Sequence, residues 1–325
     1  MIVGIESTAH TFGVGVVNEG KVLSNVREGY TTESGGIIPM EAAKHHVDVG
    51  EKVWDDALDV AGISEKDVKG IAISQAPGLA PCLIEGMKFA KRKAKELGVP
   101  MIPVNHCVAH LEIGRITGAK DPVLLYASGA NTQVIAYAAG RYRVFGETLD
   151  IGIGNFIDNF ARYLGLGFPG GPKIMELAKD GEYVELPYSI KGMDVAFSGL
   201  LTNLKQKFEK GMKKEDLSFS LQETAFAMLV EAAERALAHT GKKELVLGGG
   251  VGCNVRLQEM CRLMCEERGC EFFVPDNEFL TDNGAMIAFN GEILFDHGQF
   301  IDTKDFDHLD VDPRQRTDQV EIKYR

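Results

Sequence analysis

The chain has 325 residues, 45% hydrophobic and 25% charged, and its 35 Lys and Arg against 47 Asp and Glu leave a net charge of −12. These proportions suit a globular protein of about two domains, and the acidic balance argues against broad, stand-alone nucleic-acid binding, which needs a basic surface. The apolar runs are short and glycine-broken, well under the roughly 20 residues of a membrane span; nothing at the N-terminus reads as a signal peptide; and six cysteines without a C-x-x-C pair suggest no disulfide framework, so a cytoplasmic, reducing compartment is expected.

In chain order, residues 2–5 read as a strand, 6–10 as a polar turn, 12–17 as a second strand, 18–21 as a hairpin turn and 22–26 as a third strand. Helical periodicity follows over 41–58. A strand over 70–74, a helix over 81–97 and a strand over 100–104 come next, with Asn105 placed to cap another helix. Residues 121–149 then repeat the opening plan. They give strands over 123–127, 133–138 and 142–149, a small polar turn at 128–132 and a helix over 155–164. Two similar units about 120 residues apart, each opening a βββα block, are better read as a duplication than as a coincidence. A periodic helix over 221–239, a strand over 244–247, a glycine turn leading to a helix from Asn254 and an apolar helix over 285–289 complete the pattern. The fold expected is α/β, two similar halves with mixed sheets flanking a cleft. The halves are placed at 1–118 and 119–292, with the polar tail 293–325 packing back on the first.

Several groups of residues carry chemistry. His106 and His110 are four apart on one helical face, where two neutral imidazoles can hold one metal ion; two structural histidines read equally well. A zinc protease of the H-E-x-x-H kind is disfavoured, because Cys107 stands where the general-base Glu belongs. The turns at 6–8 and 126–132 can hold phosphate oxygens through backbone N–H groups and hydroxyls; one such turn alone reads equally as a plain hairpin, and neither is a Walker A loop. The glycine turn 247–254 lets a flat ring or phosphate approach a helix N-terminus. Phe168-Pro169-Gly170-Gly171-Pro172 is a rigid turn before a helix. Asp158 is a candidate for ribose hydroxyls or a plain surface acid. Asp282 is either a helix cap, the commoner fate, or a metal carboxylate. The run Lys88–Lys95 is read first as a solvated helix face. Cys261 and Cys265 read as packing residues, and the adjacent His45 and His46 point apart and cannot clamp one ion.

Taken in order, the segments GIESTAHTFGVGVV, AAKHH, SQAPGL, VNHCVAHLEI, LYASGANTQVIAY, YRVFGETLDIGIGN, GFPGGP, KGMDVAFSGLLT, GGGVGCNVRL and TDNGAMIA resemble the universal TsaD family over essentially the whole chain. VNHCVAHLEI and GVGCNVRL are similar to its archaeal and eukaryotic branch, the catalytic subunit of the KEOPS complex. The resemblance implies an actin-like ATPase fold (sugar kinase/Hsp70/actin). It implies transfer of a threonylcarbamoyl group from threonylcarbamoyl-adenylate to N6 of the adenosine 3′ of the anticodon, in tRNAs reading codons that begin with A. It implies one divalent metal ion, whether iron, zinc or magnesium, at His106, His110, Tyr126 and Asp282. It implies an adenine nucleotide, ATP or threonylcarbamoyl-adenylate, contacted by Ser128, Gly129, Asp158, Gly171 and Asn254, with Tyr126, Ala127, Ala130 and Met175 at neighbouring matched positions. The partners implied are tRNA, a small protein kinase and a small dimerisation subunit, with no membrane. The sequence departs from the family pattern at Ala130 and Ala76, where glycine is usual, and at Met175, where a ribose-contacting Glu is usual. An ATP-dependent kinase and a non-enzymatic nucleotide switch on the same fold are the competing readings.

Overall fold

The computed structural model describes residues 1–32 and 36–325, which form two compact units. The first unit opens with strands β1 (Ile2–Glu6), β2 (Thr11–Asn18) and β3 (Lys21–Gly29), joined as antiparallel neighbours. Helix α1 (Pro39–Ala61), strand β4 (Gly70–Ala76), helix α2 (Ala80–Leu97), strand β5 (Met101–Asn105) and helix α3 (His106–Ile113) follow. The sheet order is β3-β2-β1-β4-β5, with β4 parallel to β1 and β5 parallel to β4. Val3, Ile5, Phe12, Val14, Ile71 and Ile73 pack with Trp54 and Met87 in one core.

The second unit, chiefly Thr117–Thr281, repeats this plan. Strands β6 (Val123–Ala127), β7 (Thr132–Ala138) and β8 (Arg141–Glu147) are again antiparallel. Helices α4 (Ile153–Tyr163) and α5 (Gly171–Ala178), the short strands β9 (Ile190–Lys191) and β10 (Asp194–Val195), and helices α6 (Ser198–Glu209) and α7 (Lys214–Thr240) come next. Strand β11 (Glu244–Gly248), helix α8 (Val255–Arg268), strand β12 (Glu271–Phe273) and the short helix α9 (Asn277–Leu280) complete the unit. The second sheet runs β8-β7-β6-β11-β12, the same order as the first.

The duplication extends to the backbone. Glu19 and Gly20 have φ of 52° and 72°, and Ala139 and Gly140 have 52° and 79°, so both hairpins turn through two left-handed residues. That geometry matches the strand twist, and non-glycine residues adopt it at a cost. Each hairpin then breaks register, at Val16/Val17 and at Val134/Ile135.

The chain returns to the first unit at Asp282, not at residue 293. Helix α10 (Gly284–Asp296) lies on β1 and β2 through bare backbone. A Cβ on Gly4 would overlap the backbone of Ala288, and one on Gly15 the backbone of Ala285. The tail packs on the first unit: Phe306 and Leu309 enter the first core, and Ile301 and Met101 exchange hydrogen bonds of 2.8 and 2.9 Å. The helix expected from Asn254 is preceded by a 3-10 turn, Gly250–Cys253.

Candidate metal centre

Strand β5 ends at Asn105, whose side chain accepts a hydrogen bond of 3.1 Å from the N–H of Val108 and so starts α3 at His106. One turn of α3 places His106 and His110 on the same side, with ring centroids 4.7 Å apart at 81°. Both rings are buried. Asp282 reaches them because it is not the helix cap: Asn283 caps α10, accepting 2.9 Å from the N–H of Met286. The Asp282 carboxylate then faces both histidines, with Oδ1 at 3.5 Å from each Nε2. One donor atom from each of the three residues lies within 4.8 Å of the others.

Glu6 was read from the sequence as part of a phosphate-holding turn, and its position in the structure corrects that reading. Its fully buried carboxylate lies 3.0 Å from Nδ1 of His106 and accepts 2.7 Å from the N–H of Thr8. The Ser7 N–H goes to Ser74 Oγ at 2.9 Å. The turn's own amides are thus engaged inside the protein, and its acid orients a histidine. A carboxylate on one imidazole nitrogen fixes which nitrogen is turned to a ligand, a common support for metal-bound histidine. The sequence signal was an acid directly after a fully apolar strand.

Burial alone would lower the pKa of His106, but the Glu6 and Asp282 carboxylates outweigh it and hold the ring at about 9. Burial, with the His106 charge beside it, keeps His110 below the usual histidine range despite Asp282. Burial would raise Asp282, yet the His106 charge and the His110 hydrogen bond hold it well below the usual carboxylate range. The acidic side chains of Glu6 and Asp282 thus flank two buried imidazoles, an arrangement of oxygen and nitrogen donors that favours a cation. Two nitrogens and a carboxylate oxygen suit a divalent transition metal, so the donor set fits the expected ion.

The other expected site residues lie in the second unit. Tyr126 and Ala127 are buried at the end of β6, and Ser128, Gly129 and Ala130 form the turn to β7. The turn is fastened to the start of α4, where Gly154 N–H donates to Ser128 O at 3.0 Å and Asn155 N–H to Gly129 O at 2.9 Å. Thr132 Oγ1 accepts 2.7 Å from the N–H of Ile153. Gly249, at φ 86°, approaches the carbonyl of Ala127 so closely that a Cβ would overlap it. The glycine turn and the 128–130 turn therefore meet. One turn along α4, Asp158 accepts 2.7 Å from Gly170 N–H, beside Gly171. Asn254 caps α8 and donates 2.6 Å to Gln222. Met175 is half-buried on α5, and its neighbour Glu176 pairs with Lys179 at 2.6 Å.

The family model described as TsaD, tRNA N6-adenosine threonylcarbamoyltransferase, matches residues 21–289. The chain belongs to this family. It is 54% identical over 321 residues to the tRNA N6-adenosine threonylcarbamoyltransferase of Thermococcus kodakarensis, covering 98% of each chain. It is 52% identical over 328 residues to a probable bifunctional tRNA threonylcarbamoyladenosine biosynthesis protein of Methanosarcina mazei, covering 99% of this chain and 59% of that one. Among solved structures, T. kodakarensis HypF matches with a TM-score of 0.63 at 16% identity, over 92% of this TsaD-family chain and 48% of that chain. That likeness concerns the fold, and it agrees with the actin-like architecture. No helix among the described residues is long and apolar enough to cross a membrane.

Proposed function

We propose that this TsaD-family enzyme transfers the threonylcarbamoyl group of threonylcarbamoyl-adenylate to N6 of the adenosine 3′ of the anticodon, in tRNAs reading codons that begin with A. The observation that carries the reading is the convergence of His106, His110 and Asp282, with Glu6 behind His106, in a chain 54% identical to a transferase of that name. These three residues hold one divalent metal ion, iron, zinc or magnesium. Bound there, the ion supplies charge neutralisation for phosphate or polarises the transferred carbonyl. The donor is an already activated mixed anhydride, so the protein's main task is to position the adenine amine and stabilise the AMP leaving group. Ser128, Gly129 and Ala130 hold the nucleotide phosphates, and Asp158, Gly171, Met175 and Asn254 line the nucleoside, with ATP as the other adenine nucleotide accepted. The link between the 128–130 turn and α4 supports this arrangement.

The Methanosarcina relative is named as bifunctional, and the match spans 59% of its length. On the resemblance to the archaeal and eukaryotic branch of the family, we assign the chain to a KEOPS-type complex with a small protein kinase and a small dimerisation subunit. We place the chain in the cytoplasm, a reducing compartment that keeps cysteines as thiols. The test is to incubate the protein and its partners with tRNA and a donor labelled in the threonine. Label entering tRNA one-for-one with AMP release supports the reading. AMP release with no label in tRNA refutes it.

A further inference from the structure

Glu112 lies two residues beyond His110 on α3, and its side chain is 0% exposed. Its Oε2 accepts 2.9 Å from Arg115 Nη1. Its Oε1 accepts 3.2 Å from the Tyr324 hydroxyl and lies 3.7 Å from Arg325 Nε. The same Tyr324 hydroxyl is 3.5 Å from the side-chain oxygen of Asn290, a buried residue of α10. The Tyr324 ring lies 6.1 Å from that of His297 at the end of α10. The tail also reaches the other end of α3, where Asn105, the helix cap, donates 2.9 Å to Gln315 Oε1. Helix α3 carries two of the candidate ligands, and α10 begins just after the third.

An eight-residue helix has little stability of its own, and contacts from outside fix its position. A fully buried carboxylate is tolerated only when its partners are in place. Losing those partners leaves Glu112 a strong reason to move α3 toward water. We propose that Glu112, Tyr324 and Arg325 form a clamp that sets the spacing of α3 from α10, and are thereby positioning residues for the His106–His110–Asp282 centre. The proposal rests on the metal reading above and adds the tail as its support.

The experiment is a cobalt(II) titration of the full chain, followed by the visible absorption bands of the bound ion, on Tyr324→Phe, Arg325→Ala, Arg325→Lys and Ile322→Ala. Supporting partners of metal ligands typically change affinity about 10–100-fold. Tyr324→Phe and Arg325→Ala are expected to weaken cobalt binding in that range and to alter the bands. Arg325→Lys is expected to recover part of the loss. Ile322→Ala, which loses tail packing but keeps the clamp, is expected to lower the melting temperature with unchanged bands. Unchanged affinity and bands in Tyr324→Phe overturn the clamp. Failure of the metal reading looks different, since the unaltered protein then either ignores cobalt or binds it as tightly after His110→Ala. In that event hydrogen exchange of the metal-free protein still decides the clamp. Faster exchange over 106–113 in Tyr324→Phe supports it, and unchanged exchange there overturns it.

Discussion

His46, on α1, is 1% exposed, with its ring 5.5 Å from that of Phe12. Burial, reinforced by the nearby His45, pushes its pKa down to about 4. Its unfolded value is about 6.5. The folded state therefore resists the proton that the unfolded chain takes up, and the stability this contributes is present above pH 6.5 and lost as pH falls toward 4. In urea denaturation, His46→Gln should flatten that acid limb by on the order of 3 kcal/mol between pH 7 and pH 4. Two alanines give a prediction of opposite signs. Ala139 has φ of 52°, whereas Ala130 is not among the described non-glycine residues with left-handed φ. Ala139→Gly should stabilise by about 1 kcal/mol, through relief of strain, and Ala130→Gly should destabilise by about 0.4–1 kcal/mol, through the freer unfolded chain. Thermal melts of both variants check the pair. The histidines were legible in the sequence because spacing of four on a helix is a geometric statement. Asp282 is left open by the residues alone and placed in the ligand set only by the family resemblance, because two adjacent cap-forming residues leave the sequence unable to say which one caps. Glu6 was hidden by the duplication itself: its turn resembles its copy at 128, and the likeness in form was taken for likeness in chemistry.

At the scale of elements, the contact of α10 with β1 and β2 depends on Gly4, Gly15 and Gly284. A methyl at Gly15 meets main chain, which cannot rotate aside as a side chain can. Gly15→Ala should cost about 3 kcal/mol or more, at the upper end of overpacking effects, seen as a large loss in denaturation midpoint or as insoluble protein. Gly20→Ala, at an open turn position with φ of 72°, should cost only about 1–2 kcal/mol. This contact also explains where the sequence reading of the halves went astray. Hairpins and amphipathic helices announce themselves by periods of two and 3.6 residues. A helix seated on glycines has no such period on its contact side, so the crossing back at Asp282 was invisible. The two-residue strands β9 and β10 and the one-turn helix α9 are too short to show any period.

For the whole molecule, charge decides how RNA is met. The basic run of α2 is largely neutralised within the protein: Lys88 pairs with Glu85 at 2.8 Å, Lys93 with Glu51 at 3.1 Å, Arg92 with Glu51 and Glu96, and Lys91 donates 2.6 Å to Leu309 O. Lys88, Arg92 and Lys95 form the solvated face expected, whereas Lys93 is buried, with its Nζ 5.1 Å from the centroid of the Trp54 ring. With a net charge of −12, the isolated chain should bind tRNA weakly at physiological salt, and partner subunits should tighten binding at least about 10-fold by supplying cationic contacts to phosphate. Fluorescence anisotropy with labelled tRNA, with and without the partners, checks this. Whether the His106–His110–Asp282 centre drives transfer is decided by mass spectrometry of nucleosides from tRNA incubated with the donor, the partners and either the unaltered chain or His110→Ala, each preparation assayed for bound metal. Threonylcarbamoyladenosine should accumulate with the unaltered chain and fall at least about 100-fold with His110→Ala, together with bound metal. Equal modification by a His110→Ala preparation devoid of metal would contradict the assignment.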